Sequence, residues 1–195
     1  VYQIDPLVGW VTTPLSNSPI RITCTDRHPL NDQNPHSMAV NVISNDLGRA
    51  AIHNRGYNGM AFKQGVACRL SFYARSEGYE GTVAFRLSDE EGRAVSEAKS
   101  FTIGKGQWTK YECELLPTKN IAAGMLTIVP SQRGRFQLDM VSMFPSDTYD
   151  GGRSVFRADV LQNLIDYRPH FLRFPGGCIV HGVNEETMYH WKKTI

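Results

Sequence analysis

The sequence predicts a mainly β fold, a jelly-roll β-sandwich followed by a short α/β piece, on three observations. Between about residues 37 and 144, apolar and polar residues alternate with the period of two that puts successive strand side chains on opposite faces. Gly, Pro and Asn clusters interrupt those runs at the spacing of an all-β sandwich. After Pro145 the apolar period changes from that of a strand to that of a helix.

Taken in chain order, Ile20 to Thr25 and Ser37 to Ser44 read as strands around a polar loop, Asp26 to His36. In Val66 to Ser76, Cys68, Leu70, Phe72 and Ala74 share one face, while Arg69, Ser71, Tyr73 and Arg75 share the other. That is the pattern of a half-buried antiparallel strand. A Glu77-Gly78 turn leads to a second such run, with Val83, Phe85 and Leu87 inward and Thr82, Arg86 and Ser88 outward. Asp89-Glu90-Glu91-Gly92 turns the chain again and is a solvated hairpin turn without chemistry of its own. Further strands are expected at Ala94 to Ile103, Trp108 to Leu116, Met125 to Ser131 and Arg135 to Phe144, each bounded by Gly, Pro or Asn. Eight or more short strands within about 140 residues favour a two-sheet jelly roll.

Ser146 to Gly152 is turn-rich, and beyond it Val155, Phe156, Val160, Leu161, Leu164 and Ile165 recur at helical spacing. The spacing predicts an amphipathic helix of about four turns that Pro169 stops. His170 to Phe174 is then a short apolar run ending at Pro175-Gly176-Gly177, and helix, strand and Gly-rich loop in that order belong to an α/β unit. The expected boundary divides residues 1–147 from 148–195. The second piece is too short to close a core by itself.

Composition narrows the function. With 41% hydrophobic residues and 10% aromatics, the chain can fill a sizeable core, which excludes intrinsic disorder. A formal charge of +2, without a clustered basic face, argues against a nucleic-acid partner. No apolar run approaches the roughly 18 residues that span a bilayer, so no membrane partner is expected. The chain opens on Val1 and reads as an excised piece, so the lack of a leader says nothing about compartment. Cys24, Cys68, Cys113 and Cys178 are widely spaced without a C-x-x-C pair, which argues against zinc and for free, packed thiols.

The string Arg173-Phe-Pro-Gly-Gly-Cys178 follows the helix carrying Arg157, Asp159 and Leu161, and precedes Tyr189-His190-Trp191-Lys192. Together they resemble the α-L-arabinofuranosidases of glycoside hydrolase family 51. The upstream sandwich, notably Asn54 to Met60 and Leu138 to Pro145, is similar to the carbohydrate-binding-module-like domain of the long members. The resemblance thus covers nearly the whole chain. It implies an internal excerpt of a retaining glycosidase: the inserted sandwich, then the first helix and following strand of a catalytic (β/α)8 barrel. The implied partners are arabinose-containing polysaccharides or oligosaccharides and the remainder of the barrel, and the implied location is extracellular or periplasmic. The family's catalytic Asn-Glu pair and nucleophilic Glu have no match in this sequence, so no residue here is assigned as catalytic and the excerpt is expected to be inactive.

The resemblance also implies substrate contacts at Arg173 and Cys178, while Gly176 and Gly177 would let backbone approach a sugar ring. Such positions suit the active-site face of a barrel, where strands end and βα loops begin. On residue chemistry alone, Arg173 reads as a strand-end arginine and Cys178 as a packed thiol.

For the sandwich, aromatic faces that stack on sugars are the feature to seek. Tyr73, on the outward face of its strand, and Tyr79, in the turn beside it, are the candidate platform; Trp10 is a further candidate, and Tyr57 and Trp108 are expected to pack. His28, His36 and His53, with Asp26, Asp32 and Asp46, match no metal-ligand spacing and read as polar loop residues. Modules of this type often hold a structural calcium ion through carboxylates and backbone carbonyls, and the sequence designates no ligands for one; no other cofactor is expected. The competing readings are a sugar-binding module and a scaffold that binds nothing.

Overall fold

A computed structural model describes residues 6–45, 48–173, 176–184 and 187–190. Eleven strands precede two helices: β1 Trp10–Thr13, β2 Ile20–Thr25, β3 Ser37–Val42, β4 Ala51–Asn54, β5 Met60–Phe62, β6 Cys68–Ser76, β7 Thr82–Ser88, β8 Lys99–Thr102, β9 Thr109–Leu115, β10 Ile121–Pro130, β11 Gly134–Pro145, α1 Ala158–Tyr167 and α2 Cys178–His181. They form two antiparallel sheets. One has the order β1-β4-β10-β7-β8, with β5 pairing the start of β10, and the other has the order β2-β3-β11-β6-β9.

The inner faces of the sheets make the core, as the alternation requires. Along β6, Leu70, Phe72 and Ala74 are buried while Ser71 and Tyr73 are half-buried, and β7 buries Val83, Phe85 and Leu87. Phe72 stacks on Phe85 of the facing sheet with centroids 4.2 Å apart, and on Tyr111 at 5.2 Å. Phe101 meets the Phe72 ring edge-on at 5.3 Å. Offset and edge-on contacts of this kind lock ring positions beyond simple burial.

Three strands lie outside the sequence expectation: β1, β4 and β5. The His53 side chain is buried on the face of β4 opposite Ile52, so both faces are covered and the period-two signal disappears. With three residues, β5 is too short for any period. The expected Ala94 to Ile103 strand shortens to Lys99–Thr102, because the Leu87 N–H donates to the Ser96 hydroxyl at 2.9 Å instead of to a backbone carbonyl. At the start of β10, pairing with β5 brings in Ile121 to Gly124, earlier than expected.

The tail also differs. Helix α1 has ten residues, fewer than the four turns expected, because Val155 and Phe156 stay in the preceding loop. None of its residues is buried, and Val160, Leu164 and Ile165 face solvent. No ladder pairs residues 170–173 among the described residues, so the expected strand is an extended run; a strand forms only where a neighbour accepts its hydrogen bonds. The Gly-rich segment then starts the single turn of α2, which the sequence does not signal.

Candidate functional site

Residues 146–157 form a closed loop clamped to the sandwich. The Ser146 N–H donates to the Ala67 carbonyl at 2.8 Å, and the Tyr149 N–H donates to Phe156 at 2.9 Å. Inside the loop, buried Thr148 donates its hydroxyl to the Ser154 carbonyl at 2.5 Å. The Arg69 guanidinium, from β6, donates to the Gly152 carbonyl. A Cβ at Gly152 would lie 2.6 Å from the Ser146 carbonyl oxygen, and its φ of +85° is one that glycine adopts freely.

The loop delivers the chain to α1. The exposed Arg157 guanidinium grips Asp159 at 3.1 and 2.5 Å and holds its carboxyl below the usual range, in the first helical turn where the macrodipole also favours an anion. At the other end, Arg168 adopts the left-handed conformation and its N–H closes on the Ile165 carbonyl at 3.1 Å. Pro169 then prevents continuation.

The candidate substrate residues follow directly. Arg173 is exposed, and its guanidinium lies over Gly176, 3.7 Å from where a Cβ would stand. Among the described residues that guanidinium has no hydrogen-bond or ion-pair partner. Gly177 has a φ of +74° with open space around it, so the backbone conformation is what calls for glycine there. Its carbonyl accepts from the Val180 N–H at 3.1 Å, which starts α2. The structure thus brings Arg173, Gly176 and Gly177 together on an exposed surface. Cys178 begins α2, but its side chain lies outside the described residues, as do Phe174, Pro175, Trp191 and Lys192. A guanidinium carries five donors in a fixed fork and suits an oxygen-rich ligand.

On the outer face of the five-stranded sheet, Tyr73 is half-buried and stands between Lys110 of β9 and Asp139 of β11. Beside it runs a groove of about 770 Å³ between the sheet and the closed loop, lined by Arg69, Ser71, Lys110, Glu112, Ser142 and Val155. The ion pair from Lys110 to Glu112, at 2.6 Å, raises the lysine pKa. This groove is missed by sequence reasoning because one wall comes from the loop after β11, which no local pattern places against β6.

Two expectations for aromatic residues are corrected. Tyr79 offers no platform: it is 3% exposed, its ring lies 5.0 Å from Phe136, and its hydroxyl donates to the Thr82 carbonyl at 2.6 Å. The short turn after β6 folds the ring inward, where it covers the end of the core. Tyr57, expected to pack, is instead 97% exposed. Trp108 does pack, half-buried, with its indole N–H donating to the His28 carbonyl at 2.9 Å.

His53 is not a loop residue. It is buried in β4, with ring nitrogens 2.9 Å from the Thr13 hydroxyl and 3.0 Å from that of Thr127. Burial, and then Arg86 and Arg55, lower its pKa. Asp46 lies outside the described residues. Cys24, Cys68 and Cys113 are free thiols, and burial, with Asp147 adding, pushes Cys68 up to about 11, which leaves it unreactive at neutral pH.

Among the described residues, no group of three or more His, Cys, Asp or Glu is gathered to hold a metal ion. Among the described residues, buried Ser37 Oγ and Asp139 Oδ2 have no hydrogen-bond partner, and both residues line one groove of about 440 Å³.

Burial pushes the Asp139 carboxyl above its usual range, against a 2.7 Å hydrogen bond from the Met140 N–H that lowers it. An acid whose folded pKa exceeds its unfolded value loses stability as pH rises through that interval. Asp139→Asn is therefore expected to stabilise the chain at pH 7 by roughly 1 kcal/mol, a gain that shrinks as pH falls toward about 4. Urea unfolding at several pH values checks this, and destabilisation at pH 7 would mean that the carboxylate has a partner in solution.

No family profile matches the chain. It is 30% identical over 199 aligned residues to α-L-arabinofuranosidase 2 of Arabidopsis thaliana, covering 99% of this chain and 29% of that protein. It is 28% identical over 202 residues to an extracellular exo-α-L-arabinofuranosidase of Streptomyces chartreusis, covering 97% of this chain and 22% of that one. Among solved structures, an arabinose-bound arabinofuranosidase of glycoside hydrolase family 51 superposes on 97% of the chain and on 31% of its own, with TM-score 0.83 and 23% identity. A family 4 carbohydrate-binding module shares the sandwich fold over 71% of the chain and 96% of its own, at TM-score 0.52 and 12% identity. The chain therefore spans less than a third of the length of these arabinofuranosidases. Across nearly all of its own length it is a homologue of part of the α-L-arabinofuranosidases.

Proposed function

We propose that this chain is the inserted sandwich, residues 1–147, and the opening of the barrel, residues 148–195, of a retaining α-L-arabinofuranosidase. The enzyme would remove terminal α-L-arabinofuranosyl groups from arabinose-containing polysaccharides or oligosaccharides outside the cell. The observation that carries this reading is the alignment to an arabinofuranosidase over 99% of the chain. The exposed apolar residues of α1, Val160, Leu164 and Ile165, are the kind of face that barrel neighbours would cover.

Retention requires two carboxyl groups about 5 to 5.5 Å apart, one as nucleophile and one as acid/base. In this reading both come from barrel strands beyond residue 195, and the present chain supplies binding. Arg173 donates to sugar hydroxyls, the backbone at Gly176 and Gly177 lets the ring come close, and Cys178 completes that wall.

Turnover of p-nitrophenyl α-L-arabinofuranoside by the full-length protein tests the activity, and preference for a pyranoside or a glucan would refute it. The 195-residue chain alone is expected to give no turnover. In the full-length enzyme, Arg173→Ala is expected to lower kcat/KM by roughly 10- to 100-fold, the worth of a charge-assisted hydrogen bond. Wild-type kinetics in that variant would remove Arg173 from the site.

A further inference from the structure

Among the described residues, the most exposed aromatic side chain of the sandwich lies on neither sheet. Tyr57 is 97% exposed at the centre of the turn from β4 to β5. That turn is tightly held. The Gly59 N–H donates to the Arg55 carbonyl at 2.8 Å, the Arg55 N–H to the Gly9 carbonyl at 3.1 Å, and the Gly56 N–H to Asn54 Oδ1 at 2.8 Å. Gly56 and Gly59 have φ of +59° and +89°, and a Cβ at residue 59 would stand 2.6 Å from that of Ala123. A turn fixed this closely holds the ring clear of the sandwich surface instead of burying it there.

Tyr57 lines a groove of about 510 Å³, whose charged and amide side chains are Arg55, Asn58 and Glu90. The arginine donates, the carboxylate accepts and the amide does both, which matches the mixed donor and acceptor character of vicinal hydroxyls. One cation and one anion leave the groove with no net preference for a charged ligand. The backbone of Gly9 and Gly124 also lines it. An exposed aromatic side chain beside a groove lined by donors and acceptors is an arrangement that can hold a neutral sugar ring.

Position supports the same occupant. Consecutive strands β6 and β7 are joined by a short turn and run in opposite directions, so Ser88 and Cys68 lie at one end of the sandwich. Met125 pairs with Ser88, Leu126 with Asn54, and Pro145 with Cys68. The Tyr57 turn is therefore at the end by which the chain leaves the sandwich for the Arg173 loop.

We propose that the Tyr57 turn is a second saccharide-binding site, in which Tyr57 stacks on a sugar ring while Arg55, Asn58 and Glu90 hydrogen-bond its hydroxyls. The ligand is a neutral, pentose-containing oligosaccharide, a choice that rests on the substrate class proposed above. The test is calorimetric titration of the 195-residue chain with arabino-oligosaccharides and xylo-oligosaccharides, using wild type, Tyr57→Ala, Tyr57→Phe and Tyr73→Ala. Tyr57→Ala is expected to weaken binding about tenfold or more, and Tyr57→Phe, which keeps the ring, by less than about threefold. Tyr73→Ala should bind as wild type does, and circular dichroism should show unchanged β content throughout. No saturable binding by wild type at millimolar sugar, wild-type affinity in Tyr57→Ala, or loss of binding in Tyr73→Ala alone would overturn the site. Turnover by the full-length enzyme is scored separately. Turnover without Tyr57-dependent binding defeats this site alone, and Tyr57-dependent binding without turnover defeats only the assigned activity.

Discussion

Phe72→Ala is expected to destabilise the chain by about 3 to 5 kcal/mol, measured as a shift in the urea midpoint at unchanged slope. Phe72 is fully buried and joins the two sheets, stacked on Phe85 from across the core and on Tyr111 from the neighbouring strand, with Phe101 against its edge. Truncation removes the transfer free energy of the ring and leaves a cavity. The surrounding rings cannot fill it, because each is also fixed by a second contact, Phe85 to Phe101 at 5.9 Å and Phe101 to Tyr111 at 5.5 Å. Domains of this size have a total stability of about 5 to 15 kcal/mol, so the variant should be near the limit of folding at 37 °C. Phe72→Leu, which keeps most of the volume, should lose about half as much or less. A shift below about 1 kcal/mol for Phe72→Ala would mean that these rings are not the centre of the core.

Arg75→Met is expected to cost about 2 to 3 kcal/mol, although Arg75 is on the outer face of its sheet. Its guanidinium, 7% exposed, donates to Glu77 at 3.1 Å, to Gln137 Oε1 at 3.1 Å and to the Gly106 carbonyl at 3.2 Å. Gln137 in turn donates to the Arg27 carbonyl at 3.0 Å, so one cation ties the loop after β2 and the loop before β9 to the sheet. Removing it strands the Gln137 amide oxygen in a residue 2% exposed. Arg75→Lys should recover little, because a single ammonium cannot reach three acceptors in a planar fork. Chemical denaturation of both variants checks this, and full recovery by lysine would show that charge alone, not the fork, holds the loops.

How much of this was legible in the sequence depends on how local each signal is. The bounds of β2 and β7 coincide with the expected strands, because alternation is written in consecutive residues: β2 exposes Arg21 and Thr23 opposite Ile20 and Ile22, and β7 buries Val83, Phe85 and Leu87 on one face, although Ser88, expected outward, is buried as well. The expectation fails in β4, where His53 occupies a second buried face and is satisfied by Thr13 and Thr127 from neighbouring strands. It fails in β8, where a serine side chain replaces a ladder partner. In β4 residues distant in sequence decide the outcome, and in β8 a side chain of the adjoining hairpin does.

The candidate sites divide in the same way. Arg173, Gly176 and Gly177 are indicated by the family resemblance of one short string, and the structure gathers them on one exposed surface. The aromatic residues were harder, since a tyrosine near a turn carries no mark of which way its ring goes. Tyr79 and Tyr57 both lie beside glycines in turns, yet Tyr79 closes the core over Phe136 while Tyr57 stands in water. The difference lies in what the turn abuts: the open end of the core in one case, and in the other the backbone of Ala123, which holds the turn outward.

The sequence by itself determined the sandwich, the helix after it and the kinship with arabinofuranosidases, because periodicity and a six-residue string are properties of neighbours along the chain. Only the tertiary structure decided which tyrosine faces solvent, where the loop of residues 146–157 docks, and which carboxylates are buried. Those outcomes depend on exclusion of water by residues far apart in sequence, and no local pattern encodes them.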